Sequence, residues 1–584
     1  MNYTNILQQA AQLFDNNMLD EAENLLRSIE QTLPDNPYVL NLLGLIAQKK
    51  GLHNQACSYF EAAIRQKNDS AEFYYNLAFS LKETSQLHDA LINFKKVISI
   101  IPTLKEAYNE IACIYEKLQS YSIARDWWHK ALNFDSSYHE ALINLANSYA
   151  YEDIDLAISK LSELKEVCNR EYLLWLNLAW LTHQKSDYQT AIEYAKKSHE
   201  LNPFCADTNY ILGFLYYNIS DYQQSLNYSL ETIKFNPNHV QNLLILANIY
   251  SSQQNFSQAE KHYKRIIELK PKSFEAHHNY AEMLYRQNRI PEALEEYRSA
   301  ILINPKSSSA SNNLGVILKD TADYDEALGL FFNALTLNPS SEETSINIAE
   351  TLVLLSRIDY QKSCKIASNW LKSYPKNIFA IQTNAALKGE KIENNQIYVE
   401  RLFDNFADNY ELVMQNLDYS APLAIQSVAG DICGTVADLG CGTGLVGQAV
   451  KSVQNQIIGV DISANMLQVA AQKNIYKELI KSDIISFLQL RKDYDWIIAA
   501  DVVGYLGDLT QFIQLCFPKK LIFSIEIDNN IKDYQLDATS RYKHNPEYIN
   551  NLLIKAGYKD INTQKIKLRN ENNTSVDAMV FFAK

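Results

Sequence analysis

The chain has 584 residues, too many for one hydrophobic core, and its 47% hydrophobic content is that of a globular protein. Its formal net charge is −14, from 54 Lys and Arg against 68 Asp and Glu. That balance argues against a general binder of nucleic acid or of anionic membrane, which needs clustered positive charge. The eight cysteines form no C-x-x-C pair and no metal-ligand spacing. They read as reduced thiols, no metal is expected, and the chain is assigned to the cytoplasm. Met1 to Phe14 is polar and helix-like, without the order of a signal peptide. No apolar run of about 18 residues predicts a membrane span.

Small residues then recur at one phase: Ala10, Gly44, Ala78, Ala112, Ala146, Ala179, Gly213, Ala247, Ala281, Gly315 and Ala349. Each step is 34 residues except one of 33, between Ala146 and Ala179. A second small-residue register runs from Ala22 to Ala327, and a third carries Pro34, Pro102, Pro203, Pro237, Pro271, Pro305 and Pro339. A small residue on one helix lets a second helix approach. An aromatic on that second helix (Phe60, Phe94, Trp128, Tyr263, Tyr297, Phe331) fills the space between hairpins, and proline ends it. The period and registers resemble the tetratricopeptide repeat over about Tyr3 to Leu387. That implies an α-solenoid with nearest-neighbour energetics, about eleven repeats plus a capping helix over residues 1–389.

The sixth position of the repeat is Asn at Asn76, Asn144, Asn177, Asn279, Asn313 and Asn347. A carboxamide offers both donor and acceptor. The row resembles the asparagine ladder of O-linked N-acetylglucosamine transferase, which implies a groove for an extended protein or peptide partner. The same Asn also suits repeat packing.

After Ile397 the period stops. One helix is predicted over Tyr398 to Met414 and another over Leu417 to Val428. Apolar strands then alternate with helices, which predicts a mostly parallel sheet with an antiparallel edge. The first strand ends at Asp438-Leu439-Gly440-Cys441-Gly442-Thr443-Gly444, a glycine turn at the place where open α/β sheets hold a cofactor. The second strand ends in Gly459-Val460-Asp461-Ile462-Ser463, the third in Lys481-Ser482-Asp483-Ile484, and the fourth runs from Asp495 to Asp501.

These four features resemble the class I S-adenosylmethionine-dependent methyltransferases, so residues 390–584 are expected to form a Rossmann-like α/β domain. Pieces such as Phe403 to Glu411 and Asp501 to Leu509 are similar to bacterial predicted methyltransferases fused to tetratricopeptide repeats. The resemblance implies S-adenosylmethionine as cofactor. Asp438 and Asp501 would anchor its ammonium, Gly440, Cys441, Gly442 and Gly444 would pass close to its tail and ribose, and Asp461 would accept from the ribose hydroxyls. Ile462 and Met466 would sandwich the adenine, with Asp483 and the Ile484 N–H on its edge. Tyr410 and Arg401 would close over the carboxylate. Tyr505, Glu526, Arg541, Tyr542 and His544 follow strands four and five and are the candidates for facing the acceptor. Gly442-x-Gly444-x-x-Gly447 also matches a dinucleotide fingerprint, but that reading has no use for Asp483-Ile484. The function expected is methyl transfer with a recruiting arm. A scaffold with a weakly active domain and a small-molecule methyltransferase are the alternatives.

Overall fold

The structure, a computed structural model, describes residues 3–30, 35–392, 395–571 and 574–584. Met1, Asn2 and the helix stop expected at Pro34 lie outside them. The chain divides into two compact units, Met1–Pro271 and Lys272–Lys584.

The first unit is built of paired helices such as Ala71–Glu83 and Leu87–Ile100, of 13 and 14 residues. The small residues lie at the helix crossings: Ala78, Ala112, Ala90 and Ala124 are fully buried. At Gly44 a Cβ would stand 2.5 Å from the Phe60 ring, so the aromatic occupies the space that glycine leaves. The prolines after Pro34 stand just beyond second helices, as Pro102 follows Ile100 and Pro203 follows Leu201. The hairpins turn through one left-handed residue at the same period: Asn17, Gly51, Ser85, Gln119, Ser186, Ser220 and Gln254. The repeat shortened by one residue breaks this rule. Its turn is a 3₁₀ segment, Ser148–Tyr151, and the Asp153 carboxylate caps the next helix.

The second unit opens with hairpins of the same kind, turning at Asn288 and Ala322. Helix Glu342–Ser356 has 15 residues where its counterparts have 13. The extra length lies at its C-terminal end, and Ala349 is half-buried rather than buried. Helix Ile378–Lys388 follows and ends on Gly389 at φ +66°.

The sheet then forms from β1 (Gly434–Leu439), β2 (Asn455–Asp461), β3 (Glu478–Lys481), β4 (Trp496–Ala499), β5 (Lys520–Glu526), β8 (Ile561–Glu571) and β9 (Thr574–Ala583). A short pair, β6 (Tyr534–Leu536) and β7 (Tyr542–His544), stands apart and was not expected from the sequence. The order is β3-β2-β1-β4-β5-β9-β8, with β1 to β5 parallel and the last two antiparallel. The two faces of β1 feed separate cores, Ala437 and Leu439 on one and Val436 on the other. The single helix predicted over Tyr398 to Met414 is two, Gln396–Phe406 and Tyr410–Asn416. The next begins only at Ala421, because Asp418 takes φ +54°.

Candidate functional site

The strand order reverses at β1, with β2 on one side and β4 on the other, so a crevice opens at their carboxyl ends. Nine of the residues expected to hold the cofactor line one cavity there: Gly440, Gly442, Asp461, Ile462, Met466, Asp483, Ile484, Asp501 and Tyr410. Gly442 sits at φ +53° with no atom within 4 Å of where a Cβ would stand, so its backbone is bare toward open space. At Gly440 a Cβ would meet Val502 at 2.4 Å, which is why the β1 and β4 turns pack so closely.

Asp461 is buried, and its two oxygens accept from the Gly442 N–H and the Ser463 N–H, each at 2.8 Å. It therefore ties the glycine turn to the end of β2. Asp483 caps helix Ile484–Leu490 through the Ser486 N–H at 3.0 Å. Asp404 was not expected at the site. It accepts from the Ser463 hydroxyl at 2.6 Å and fastens helix Gln396–Phe406 over the cavity. Asn395 donates to the Tyr505 carbonyl at 2.8 Å and holds the loop after β4.

Four expected residues lie outside that lining. Asp438 accepts from the Tyr476 hydroxyl at 2.8 Å, and burial pushes its carboxyl up to about 7. Cys441 is buried, and Gly444, at φ +93°, precedes helix Leu445–Val450. Arg401 pairs with Glu342 of the repeats at 3.2 Å.

Asp501 holds φ +52°, a strained value for an aspartate at a strand end. Its carboxylate accepts from Arg569 at 2.7 Å, and Arg569 is almost wholly buried. Arg569 also pairs with Glu526 and, at 2.6 Å, with Glu571. Arg541 reaches Glu526 at 2.9 Å and also pairs with Glu571. Burial works against the Glu571 charge, but the two guanidinium groups outweigh it and lower its carboxyl to about 2.

Of the acceptor-facing candidates, Tyr505 lines the cavity, and Tyr505 and Arg541 line a second, larger one beside it. Glu526 is spent on its two arginines. Tyr542 packs with Ala386 and Leu536, and His544 is fully buried with Nε2 2.9 Å from the Gly507 carbonyl. Among the described residues no group of three His, Cys, Asp or Glu could hold a metal ion.

Three of the six repeat asparagines are each joined to an asparagine of the preceding repeat. Asn76 donates to Asn41 at 3.0 Å, Asn144 to Asn109 at 3.2 Å, and Asn347 to Asn312 at 3.1 Å. Asn41, Asn109 and Asn312 in turn donate to Glu72, Glu140 and Glu343, so one Asn–Asn–Glu pattern recurs. Asn313 donates to the Tyr297 hydroxyl at 3.3 Å, while Asn177 and Asn279 are half-buried.

Residues 436–517 match the family model of a methyltransferase domain, and residues 37–70, 245–308 and 310–343 match models of the tetratricopeptide repeat. The chain thus carries tetratricopeptide repeats and, toward its C-terminal end, a methyltransferase domain. Over 70 residues it is 37% identical to the 18S rRNA (guanine-N(7))-methyltransferase RID2 of Arabidopsis thaliana, 12% of this chain and 24% of that protein. Over 165 residues it is 26% identical to the BBSome complex member BBS4 homolog of Drosophila melanogaster, 28% of this chain and 34% of that one. It therefore spans about a third and about a quarter of the length of these curated relatives. Among solved structures, a tetratricopeptide repeat protein from Parabacteroides merdae is 18% identical at a TM-score of 0.38, covering 42% of this chain and 98% of its own. Yeast Tom70 is 16% identical at a TM-score of 0.30, covering 66% of this chain and 95% of its own.

Proposed function

We propose that the protein transfers a methyl group from S-adenosylmethionine to a protein or peptide recruited by its repeats. The observation that carries this is the cavity at the ends of β1, β2 and β4, where the bare Gly442 backbone, Asp461 and the Asp483-Ile484 helix start face one space. That donor set fits the cofactor. Asp461 keeps lone pairs for ribose hydroxyls, Met466 and Ile462 supply apolar faces for an aromatic ring, and Asp501, one oxygen of which is held by Arg569, has the other for the donor's ammonium. When bound, the cofactor supplies an electrophilic methyl on a sulfonium. The chain's own task is alignment, since an in-line displacement gains most from a fixed geometry.

The Asn–Asn–Glu links fix the carboxamides of Asn76, Asn144 and Asn347, each against the preceding repeat, and a fixed carboxamide is suited to meet a polypeptide backbone. A role in recruitment for Asn76, Asn144, Asn177, Asn279, Asn313 and Asn347 predicts that alanine replacements raise KM for the acceptor and leave kcat nearly unchanged. All eight cysteines are free thiols, which supports a reducing, cytoplasmic setting. Calorimetry with S-adenosylmethionine, followed by labelled-methyl transfer in lysate, tests the reading. Absence of donor binding sinks it, and binding without transfer to any acceptor leaves the scaffold alternative instead.

A further inference from the structure

The cavity assigned to the donor adjoins the second chamber, and the two share Phe403, Tyr410, Asp501 and Tyr505. One wall of that chamber belongs to the repeats. Ile346, Ala349, Glu350 and Val353 reach it from helix Glu342–Ser356, with Arg357 just beyond. Ala349, half-buried, is part of this wall. Glu342 fixes the wall in place by accepting from Asn405 at 2.9 Å and pairing with Arg401.

Every carboxylate on the chamber's lining already has a partner. Asp501 and Glu571 are held by Arg569, Glu350 by Lys319 at 2.7 Å, and Asp320 accepts from the Tyr285 hydroxyl. Arg357, an exposed residue at the end of that helix and on the chamber's rim, has no carboxylate within ion-pair distance among the described residues. The phenols of Tyr398, Tyr410 and Tyr505 also face the space. Burial raises all three, so they stay protonated and donate. The chamber thus offers phenol hydroxyls and one cation outside an ion pair, and at its junction with the donor cavity the one carboxylate, Asp501, is already paired.

Resting on the methyl-transfer reading above, we propose that this chamber admits the acceptor and that the acceptor is a carboxylate, methylated on oxygen. A carboxylate oxygen bonds to the methyl carbon while the carbon–sulfur bond breaks and leaves its electron pair on sulfur. The sulfonium becomes a neutral thioether and the carboxylate a methyl ester. No proton moves. An ammonium or phenol acceptor would have to give up a proton, and where the chamber meets the donor cavity the one shared carboxylate, Asp501, is already paired with Arg569.

The test uses the full chain. Donor-site integrity is read first, by calorimetry with S-adenosylhomocysteine on wild type, Arg357→Glu and Arg357→Lys. Labelled methyl is then transferred in lysate, and the product is treated with mild alkali while volatile methanol is counted. The expected result is alkali-released methanol from wild type and from Arg357→Lys. In Arg357→Glu it should fall about tenfold, the scale of a lost charged hydrogen bond, with donor affinity unchanged in all three. Alkali-stable label, no label despite donor binding, or ester yield indifferent to Arg357→Glu overturns the carboxylate assignment. Failure of the wild type to bind S-adenosylhomocysteine overturns the methyl-transfer reading itself and is visible separately.

Discussion

Asp461 holds the glycine turn through Gly442 and still faces the cavity, so its removal acts on both. Asp461→Ala should weaken S-adenosylmethionine binding by about 1.5–3 kcal/mol, roughly ten- to a hundredfold, the range for hydrogen bonds to a charged group. Calorimetry checks this, and unchanged affinity would falsify the cofactor assignment. Asp461 and Asp483 were legible in the sequence because each stands at a fixed place after a strand. Arg569 was not. It lies in a run with Lys565 and Lys567 that reads as a solvated edge strand, and its carboxylates Asp501 and Glu526 stand 68 and 43 residues away. Arg569→Met should cost about 3–5 kcal/mol, because it leaves buried carboxylates without their cation. A shift of the urea midpoint measures it. Glu571 adds a pH dependence of known sign. Its carboxyl is lowered to about 2 in the folded protein from an ordinary value of 4.5. Its stabilisation is therefore complete above the unfolded value and is lost as pH falls from about 5 toward 2. The Arg541 and Arg569 pairing predicts a flatter acid-unfolding curve for Glu571→Gln over that window.

At the level of helices, the 34-residue period made the hairpins legible, since each small residue and each aromatic answers to a nearest neighbour. What the period concealed was conformation at the turns. The position that takes a left-handed backbone is Gly at residue 51 but Ser, Gln, Asn or Ala elsewhere. Ala322, at φ +64°, bears the steric cost without any side-chain compensation. Ala322→Gly should therefore stabilise the second unit by about 0.5–1 kcal/mol, the left-handed penalty less the entropy that glycine adds to the unfolded chain. Thermal unfolding decides it, and a lowered midpoint would show that the methyl of Ala322 packs usefully. The reverse applies at Gly315, where a Cβ would stand 2.7 Å from the Phe331 ring. Gly315→Ala should lower the midpoint, and Phe331→Leu in the same chain should restore part of it, because the shortage is one of volume. The break at Ala407 to Asn409 was hidden for a different reason: Ala-Asp-Asn holds no glycine or proline to mark a helix end.

For the whole molecule, architecture changes after Gly389, yet the compact unit runs from Lys272 to the end. Side chains on both sides of Gly389 explain this: Phe379 stands edge-on to Tyr398, Ala386 packs on Leu536 and Tyr542, and Glu342 meets Arg401. None of these pairings has a sequence signature, because each joins a repeat position to a residue outside the period. We expect a fragment of residues 272–584 to be soluble and to bind S-adenosylmethionine as the full chain does. A fragment of residues 390–584 should unfold at a lower temperature. Equal midpoints for the two would show that the last hairpins are dispensable. The shared wall has a consequence for how such a chain diversifies. Val353 belongs to a repeat helix and Arg357 stands at its end, while Gly442, Asp461 and Asp483 belong to the sheet domain. A duplicated gene could acquire a new acceptor through a few codons in one repeat while its methyl supply stayed untouched, so recognition and chemistry would be free to drift at different speeds.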